Sequence, residues 1–69
     1  MSERTLKEHY AWALERALAC KEDKACAASF VSDMSKHPEG KTYMDGMWGM
    51  MIFGMKGEEL REFLKGFNF

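Results

Sequence analysis

The segment HPEGK, residues 37–41, divides the chain into two parts of different composition. Residues 2–37 contain neither glycine nor proline, whereas all six glycines and the single proline lie from residue 38 onward. A residue that precedes proline is disfavoured in the α-helical region, and a glycine two positions later can adopt a positive φ. The segment therefore predicts the end of one helical part, a turn at Gly40 and a new helix beyond it.

The part before this segment has the periodicity of an amphipathic helix. Apolar side chains recur at spacings of three and four and form one stripe, which consists of Leu6, Tyr10, Ala13, Leu14, Ala17 and Leu18. Thr5 and Glu8 have the spacing of a capping box, in which each side chain satisfies a backbone N–H near the other. We expect a first helix over about residues 3–20.

Four consecutive charged residues, KEDK at 21–24, interrupt this pattern. With Asp23 as the N-cap, a second helix is expected over about residues 24–36. Its buried stripe consists of Cys26, Phe30, Val31 and Met34. The alternative is one long N-terminal helix of about 35 residues followed by a C-terminal helical hairpin, because no breaker lies within it. We favour the break, since a short polar connection suits two packed helices.

The glycine-rich part predicts a third helix over about residues 43–55. Thr42 and Asp45 have the spacing of a capping box at its start. One stripe contains Met44, Met47, Trp48, Met51 and Met55, while Met50, Ile52 and Phe53 lie on other faces. A helix that is apolar on nearly all sides is either buried or placed at an interface. The glycines within it, at positions 46, 49 and 54, suggest that another backbone comes close.

A fourth helix is expected over about residues 58–65. Glu58 and Glu59 favour its N-terminus, Lys65 favours its C-terminus, and Gly66 is placed as a stop. Phe67 and Phe69 follow, and two aromatic side chains so close together indicate a segment that docks on a surface.

These elements predict the fold class. We expect one all-α domain over residues 1–69, built as a small bundle of three to four short helices. A chain of 69 residues buries only about 60% of the surface that its unfolded form exposes. Self-association is a common way to complete such a small core, so we expect a homodimer.

Charge and hydropathy exclude several classes of partner. The formal net charge is −1, which is not the basic balance of a nucleic-acid binder. No apolar run reaches the roughly 18–20 residues that cross a bilayer, and charges recur through Glu8, unlike in a secretory signal. We expect a cytoplasmic protein without a membrane partner. In a reducing compartment Cys20 and Cys26 are free thiols, although a disulfide between them is the alternative.

No catalytic or cofactor motif is complete. The sequence GKT at 40–42 ends like a phosphate-binding loop, but Ser35 stands where that loop needs a glycine. His9, Cys20, Cys26 and His37 cannot share one zinc ion, because eleven helical residues span about 16 Å. The methionines alternate with apolar residues, unlike exposed copper ligands, and Glu58, Glu59 and Glu62 have the pattern of a solvated helix face. We expect no enzyme activity, no metal and no cofactor.

The composition favours a protein-interaction module that binds and inhibits a larger protein. Methionine and aromatic residues are enriched in interface cores. The candidate partner or dimer interface is Met44, Met47, Trp48, Met51, Ile52, Phe53, Met55, Phe67 and Phe69, with Tyr10, Trp12 and Tyr43 as secondary candidates. The same residues serve equally as core in a chain with few large aliphatic side chains.

No residue of the sequence points to inhibition. We expect it because small chains without a catalytic motif are often encoded by phages or mobile elements and block a host protein. The alternative function is a small dimeric helical DNA-binding transcriptional regulator, with a helix-turn-helix around residues 35–48.

Overall fold

The structure, a computed structural model, describes residues 5–69, and at Met47 it describes the backbone but not the side chain. This part of the chain is all-helical and forms a small bundle, which confirms the predicted fold class. Its helices are α1 (Leu6–Leu18), α2 (Asp23–Met34), α3 (Pro38–Met44), α4 (Met47–Gly54) and α5 (Gly57–Lys65). None of the described helices is long and apolar enough to cross a membrane.

The two N-terminal helices form the base of the bundle. The predicted capping box is present at the start of α1, since Thr5 and Glu8 each bind the other's backbone N–H. The predicted break is also confirmed, so the alternative of one long N-terminal helix is wrong. The predicted N-cap is wrong, because Glu22 is the N-cap of α2 and Asp23 is its first residue. Ala13 and Ala17 are fully buried, and their small side chains let α1 lie close against α2. Residues 3 and 4 of the predicted first helix lie outside the described residues.

The segment 37–41 begins a helix that the sequence did not predict. Pro38 is the first residue of α3, where a missing N–H leaves no hydrogen bond unmade. His37 is the N-cap, and its Nδ1 accepts a hydrogen bond from the Glu39 backbone N–H at 3.1 Å. The predicted turn at Gly40 is wrong, because Gly40 lies inside α3. A Cβ at Gly40 would overlap the carbonyl oxygen of Met34, so glycine is required by a close backbone approach.

The predicted helix over residues 43–55 is two helices, because the chain breaks at Asp45 and Gly46. Thr42 does not cap a helix there, since its hydroxyl donates to the Pro38 carbonyl within α3 at 3.2 Å. Asp45 instead forms an ion pair with Lys41 at 2.6 Å.

The break changes the phase of the apolar pattern, so the predicted methionine stripe does not continue along one face. A Cβ at Gly49 would overlap the carbonyl oxygen of Met44, which is the close backbone approach that the helix glycines suggested. Within α4 it is Ile52 that is fully buried, while Trp48 and Met51 remain partly exposed.

The last helix closes the core. Leu60 and Leu64 of α5 are fully buried against side chains of the other helices. Gly57 begins α5 with a φ of +59°, in the left-handed region that favours glycine. The largest fully buried side chains are Phe30, Met34, Ile52, Leu60, Leu64 and Cys26. Both Cys20 and Cys26 are free thiols, Cys26 in the core and Cys20 partly exposed.

Candidate functional site

An aromatic cluster forms where side chains of all five helices meet residues 67–69, which we call the tail. Its members are Tyr10, Phe30, Tyr43, Trp48, Phe63, Phe67 and Phe69. Phe67 lies at its centre, with ring centroids 5.3 Å from Phe63 and 5.5 Å from Trp48. Phe69 lies 5.0 Å from Tyr10 and 5.2 Å from Tyr43. The tail therefore docks on the helices of its own chain.

Tyr10 connects this cluster to the core. Its ring packs edge-on against Phe30 with centroids 6.0 Å apart. Its hydroxyl donates a hydrogen bond to the carbonyl oxygen of Leu64 at 2.5 Å. Burial raises the pKa of Tyr10, because the phenolate is less well solvated there than in water. This bond fixes the C-terminal end of α5 against α1.

Two adjoining cavities open beside the cluster. A cavity of about 340 Å³ is lined by Trp48, Glu62, Phe63, Gly66 and Phe67. A second one of about 270 Å³ is lined by Tyr43, Trp48, Gly66, Phe67, Asn68 and Phe69. Because Trp48, Gly66 and Phe67 line both, the cavities lie side by side, and we call them together the aromatic groove.

The outer side of α4 exposes a further group of apolar side chains. Met50 is 80% exposed, Phe53 is 55% exposed and Met51 is 37% exposed. These three residues are called the α4 face. Helix α4 contains no charged residue. Together the three residues form a group of large apolar side chains that the described part of the chain leaves exposed.

The structure distributes the candidate interface residues over three environments. Met44 and Ile52 lie in the core and Met55 is half-buried against it, while the side chain of Met47 lies outside the described residues. Trp48, Met51 and Phe53 are exposed, and Phe67 and Phe69 belong to the aromatic cluster. Of the secondary candidates, Tyr10 and Tyr43 join that cluster. Trp12 does not.

Trp12 belongs to a polar cluster between α1 and α2 that the sequence analysis missed. The carboxylate of Asp33 is almost fully buried and binds Arg16 at 2.8 Å and Lys36 at 3.3 Å. The two cations also lie over the Trp12 ring, 5.0 Å and 5.6 Å from its centroid. Asp33 and Lys36 have ion-pair spacing on a helix, which is the one sequence signal for this cluster.

Two histidines extend this polar cluster toward α3. The Nε2 atom of His9 donates to the backbone carbonyl of Asp33 at 2.6 Å. The rings of His9 and His37 lie 5.3 Å apart, so α1 contacts the N-cap of α3. Within residues 5–69 no three His, Cys, Asp or Glu side chains come together as a metal site. Each polar group named here binds another group of the chain, which is the arrangement of a structural cluster.

No protein-family model matches this chain, and comparisons with curated proteins and with solved structures found no significant match.

Proposed function

We propose that this protein is an interaction module that binds and inhibits a larger protein through the α4 face and the aromatic groove. The observation that carries the proposal is the exposure of five large apolar side chains on α3 and α4, namely Tyr43, Trp48, Met50, Met51 and Phe53. Methionine, tryptophan and tyrosine are residue types enriched in interface cores and binding hot spots.

The five exposed side chains are too small a surface for a stable interface by themselves, so we propose that the partner also contacts the aromatic groove. From typical side-chain areas, the five exposed residues present on the order of 500 Å² of accessible surface. A standard stable interface buries roughly 800 Å² on each partner. The aromatic groove, which Trp48 of α4 lines, supplies additional surface around Phe63, Phe67 and Phe69. The partner therefore covers α4 and the aromatic groove together.

In this proposal the chain carries out no chemical step, and it inhibits its partner by covering part of the partner's surface. A small helical domain can bind a larger protein and block access to its substrate or to another partner. We place this interaction in the cytoplasm, a reducing compartment in which Cys20 and Cys26 stay free thiols.

A homodimer is the competing use of the same surface. Light scattering on a size-exclusion column measures the mass in solution across a range of concentrations. A mass of twice 8.0 kDa for the wild type, with 8.0 kDa for Met50→Lys, would show that the α4 face is used for self-association. That result would overturn the proposal of a different protein as partner at this face. A monomer of 8.0 kDa leaves the face available to the partner.

The partner is tested by comparing matched baits. Tagged wild-type protein is expected to retain one specific protein from an extract of its own source cells. Met50→Lys and Phe53→Ser are expected to lose it, whereas Lys7→Gln on the exposed side of α1 is expected to keep it. The purified partner is then assayed with and without this chain. If the same proteins are retained by wild type and by both α4 variants, the proposal is overturned.

No observation favours the DNA-binding alternative. In a helix-turn-helix built from α3 and α4, the recognition helix would be α4, which contains no Arg, Lys, Asn or Gln. These are the side chains that read base edges. A mobility shift with duplex DNA that weakens steeply with salt would revive the alternative.

A further inference from the structure

We propose that Met50 is a site of reversible oxidation, at which hydrogen peroxide converts the thioether to the sulfoxide and thereby weakens the binding of the partner to the α4 face. This inference rests on the proposed function and names a chemistry that regulates the same surface. It is drawn from the exposure of Met50, from the glycines beside it and from the lack of hydrogen-bond donors around it on α4.

Met50 is far more exposed than the other methionines whose side chains the structure describes. It is 80% exposed, against 37% for Met51, and Met55 is half-buried against the core. Met34 and Met44 lie in the core, with 0% and 5% exposed. Oxidation of a thioether requires that the oxidant reach the sulfur, so its rate follows exposure. Peroxide therefore distinguishes Met50 from the methionines that hold the core together.

The neighbouring positions on the helix leave the Met50 side chain uncovered. Residues four apart lie on the same side of a helix, and Gly46 and Gly54 stand one turn before and one turn after Met50. Neither glycine has a side chain that could lie over the sulfur. A Cβ at Gly54 would meet nothing within 4 Å, so the space beside this end of α4 is open. An oxidant thus has access to the thioether along this side of the helix.

The proposed step transfers one oxygen atom. A lone pair of the Met50 sulfur attacks one peroxide oxygen, the S–O bond forms as the O–O bond breaks, and the second oxygen leaves as water. The sulfur loses two electrons and the peroxide gains them. Methionine sulfoxide reductases reverse the oxidation, with two thiols forming a disulfide while the oxygen leaves as water. The forward step requires no catalytic residue of this chain.

The sulfoxide is poorly suited to an apolar interface. Its oxygen is a hydrogen-bond acceptor, and α4 contains no Lys, Arg, Asn or Gln that could donate to it. Trp48 carries an indole N–H, but residues two apart do not face each other on a helix. Water binds the oxygen while the face is exposed, and a partner that covers the face removes this water. Because a buried acceptor without a donor is costly, oxidation is expected to weaken partner binding by about tenfold or more.

The two cysteines react with peroxide through a different species. A thiol reacts as the thiolate, whereas a thioether has no proton to lose. Burial raises the pKa of Cys26, which disfavours its thiolate. The thiol of Cys20 donates a hydrogen bond to the Arg16 carbonyl oxygen at 3.7 Å. Because cysteine thiols are protonated in mild acid, treatment with peroxide at pH 5 acts on the thioethers.

Mass spectrometry of the wild-type protein after brief treatment with hydrogen peroxide at pH 5 tests the site. Fragmentation of the tryptic peptide 42–56 locates each sulfoxide in it, and circular dichroism shows that the fold is kept. Met50 is expected to gain oxygen about twice as fast as Met51 and about tenfold or more faster than Met34 and Met44. Oxidation of Met51 before Met50, or of Met34 and Met44 as fast as Met50, would overturn the inference.

Hydrophobic-interaction chromatography under native conditions measures the change of the α4 face without the partner. Oxidised wild type is expected to elute earlier than untreated protein, and methionine sulfoxide reductases with dithiothreitol are expected to restore its retention. Met50→Leu has an apolar side chain of similar volume and is expected to lose most of the shift caused by peroxide. Met51→Leu is the matched control on the same helix and is expected to keep the shift. An equal shift in Met50→Leu and the wild type would contradict the assignment to Met50.

The partner assay separates this inference from the proposed function. Peroxide is expected to weaken partner binding by wild type and to have little effect on that by Met50→Leu. If α4 variants lose the partner but the Met50 sulfoxide binds it as tightly as the thioether, the interaction module stands and the regulation fails. If Met50 is oxidised first but no partner depends on the α4 face, the proposed function fails while Met50 remains the site of oxidation.

Discussion

Arg61 on α5 donates a hydrogen bond from Nη1 to Oδ1 of Asp23, the first residue of α2, at 2.9 Å. The same guanidinium donates to the carbonyl oxygens of Gly57 at 3.0 Å and Lys21 at 3.1 Å. One side chain thus connects the first turn of α5 to the connection between α1 and α2. The polar KEDK segment is therefore a docking point for α5 as well as a helix break.

The hydrogen bond between Arg61 and Asp23 predicts that the folded protein loses stability in acid. The Arg61 guanidinium holds the pKa of Asp23 below its ordinary value of 3.8. The unfolded chain therefore binds this proton more readily than the folded one, so stability from Asp23 is present above about pH 4 and is lost as the pH falls below it. Thermal denaturation followed by circular dichroism from pH 7 to pH 2.5 is expected to show this loss.

Asp23→Asn is expected to denature at a lower temperature than the wild type at pH 7, and the difference is expected to shrink toward pH 2.5. Arg61→Lys separates the effect of charge from that of hydrogen bonding. Lysine keeps the positive charge but lacks the planar guanidinium that binds several acceptors at once. We expect Arg61→Lys to be destabilised as well. A wild-type-like Arg61→Lys would contradict the multiple hydrogen bonds of Arg61.

Substitution by alanine at Gly49 and at Gly54 of α4 is expected to change the stability of the protein in opposite directions. A Cβ at Gly49 would overlap the Met44 carbonyl oxygen, whereas a Cβ at Gly54 meets nothing within 4 Å. Gly49→Ala is expected to destabilise the protein by about 2 kcal/mol. Gly54→Ala is expected to stabilise it by about 0.5 kcal/mol, because alanine loses less backbone entropy. Urea denaturation measures both, and an equal effect of the two substitutions would contradict the close approach at Gly49.

The partly buried hydroxyl group of Tyr10 leads us to expect a loss of folding stability at alkaline pH. Tyr10→Phe removes the hydrogen bond to the Leu64 carbonyl and is expected to cost about 1 kcal/mol at pH 7. Burial raises the pKa of Tyr10 above its ordinary value of 10.0, so the folded chain holds this proton more tightly than the unfolded one. Stability from this group is therefore lost as the pH rises above 10. Urea denaturation from pH 7 to pH 11 should show a shallower decline for Tyr10→Phe than for the wild type.

His37 is the N-cap of α3. Its Nδ1 accepts the Glu39 backbone N–H at 3.1 Å and so satisfies one of the donors that the first turn of a helix leaves without a partner. We therefore expect the His37 side chain to stabilise the start of α3.

Two substitutions test this N-cap. His37→Ala is expected to cost about 1 kcal/mol of folding stability, because the acceptor is lost. His37→Asn keeps a side-chain acceptor and is expected to cost less. Urea denaturation measures both differences, and equal losses in the two variants would contradict the capping role.

Local rules predicted the first half of the fold because its signals are short-range. The capping box of Thr5 and Glu8 and the break before Asp23 depend only on residues within one turn. Helix α3 was missed because Pro38 and Gly40 are breakers in general. Here a proline occupies the first turn of α3, and the Met34 carbonyl occupies the space of a glycine Cβ. That second fact depends on packing and has no local sequence signal.

The candidate surface was predictable in composition but not in detail. Apolar residues on every side of a helix could not show which ones face the core, because the break at Gly46 resets the phase of the pattern. Ile52 lies inside, while Phe53 next to it is exposed. The polar cluster around Asp33 joins residues of α1 and α2 with Lys36 and His37 of the connection to α3, so no window of sequence contains it.

The position of the tail determines when this chain can finish folding during its synthesis. Phe67 stacks on Phe30 and Phe69 lies against Tyr10, so residues made early wait for residues made much later. On the ribosome, α1 and α2 can pair as soon as both have left the exit tunnel. The contacts of Phe30 with Phe67 and of Tyr10 with Phe69 form only once residues 67–69 have emerged, so the packing of the first two helices is completed last.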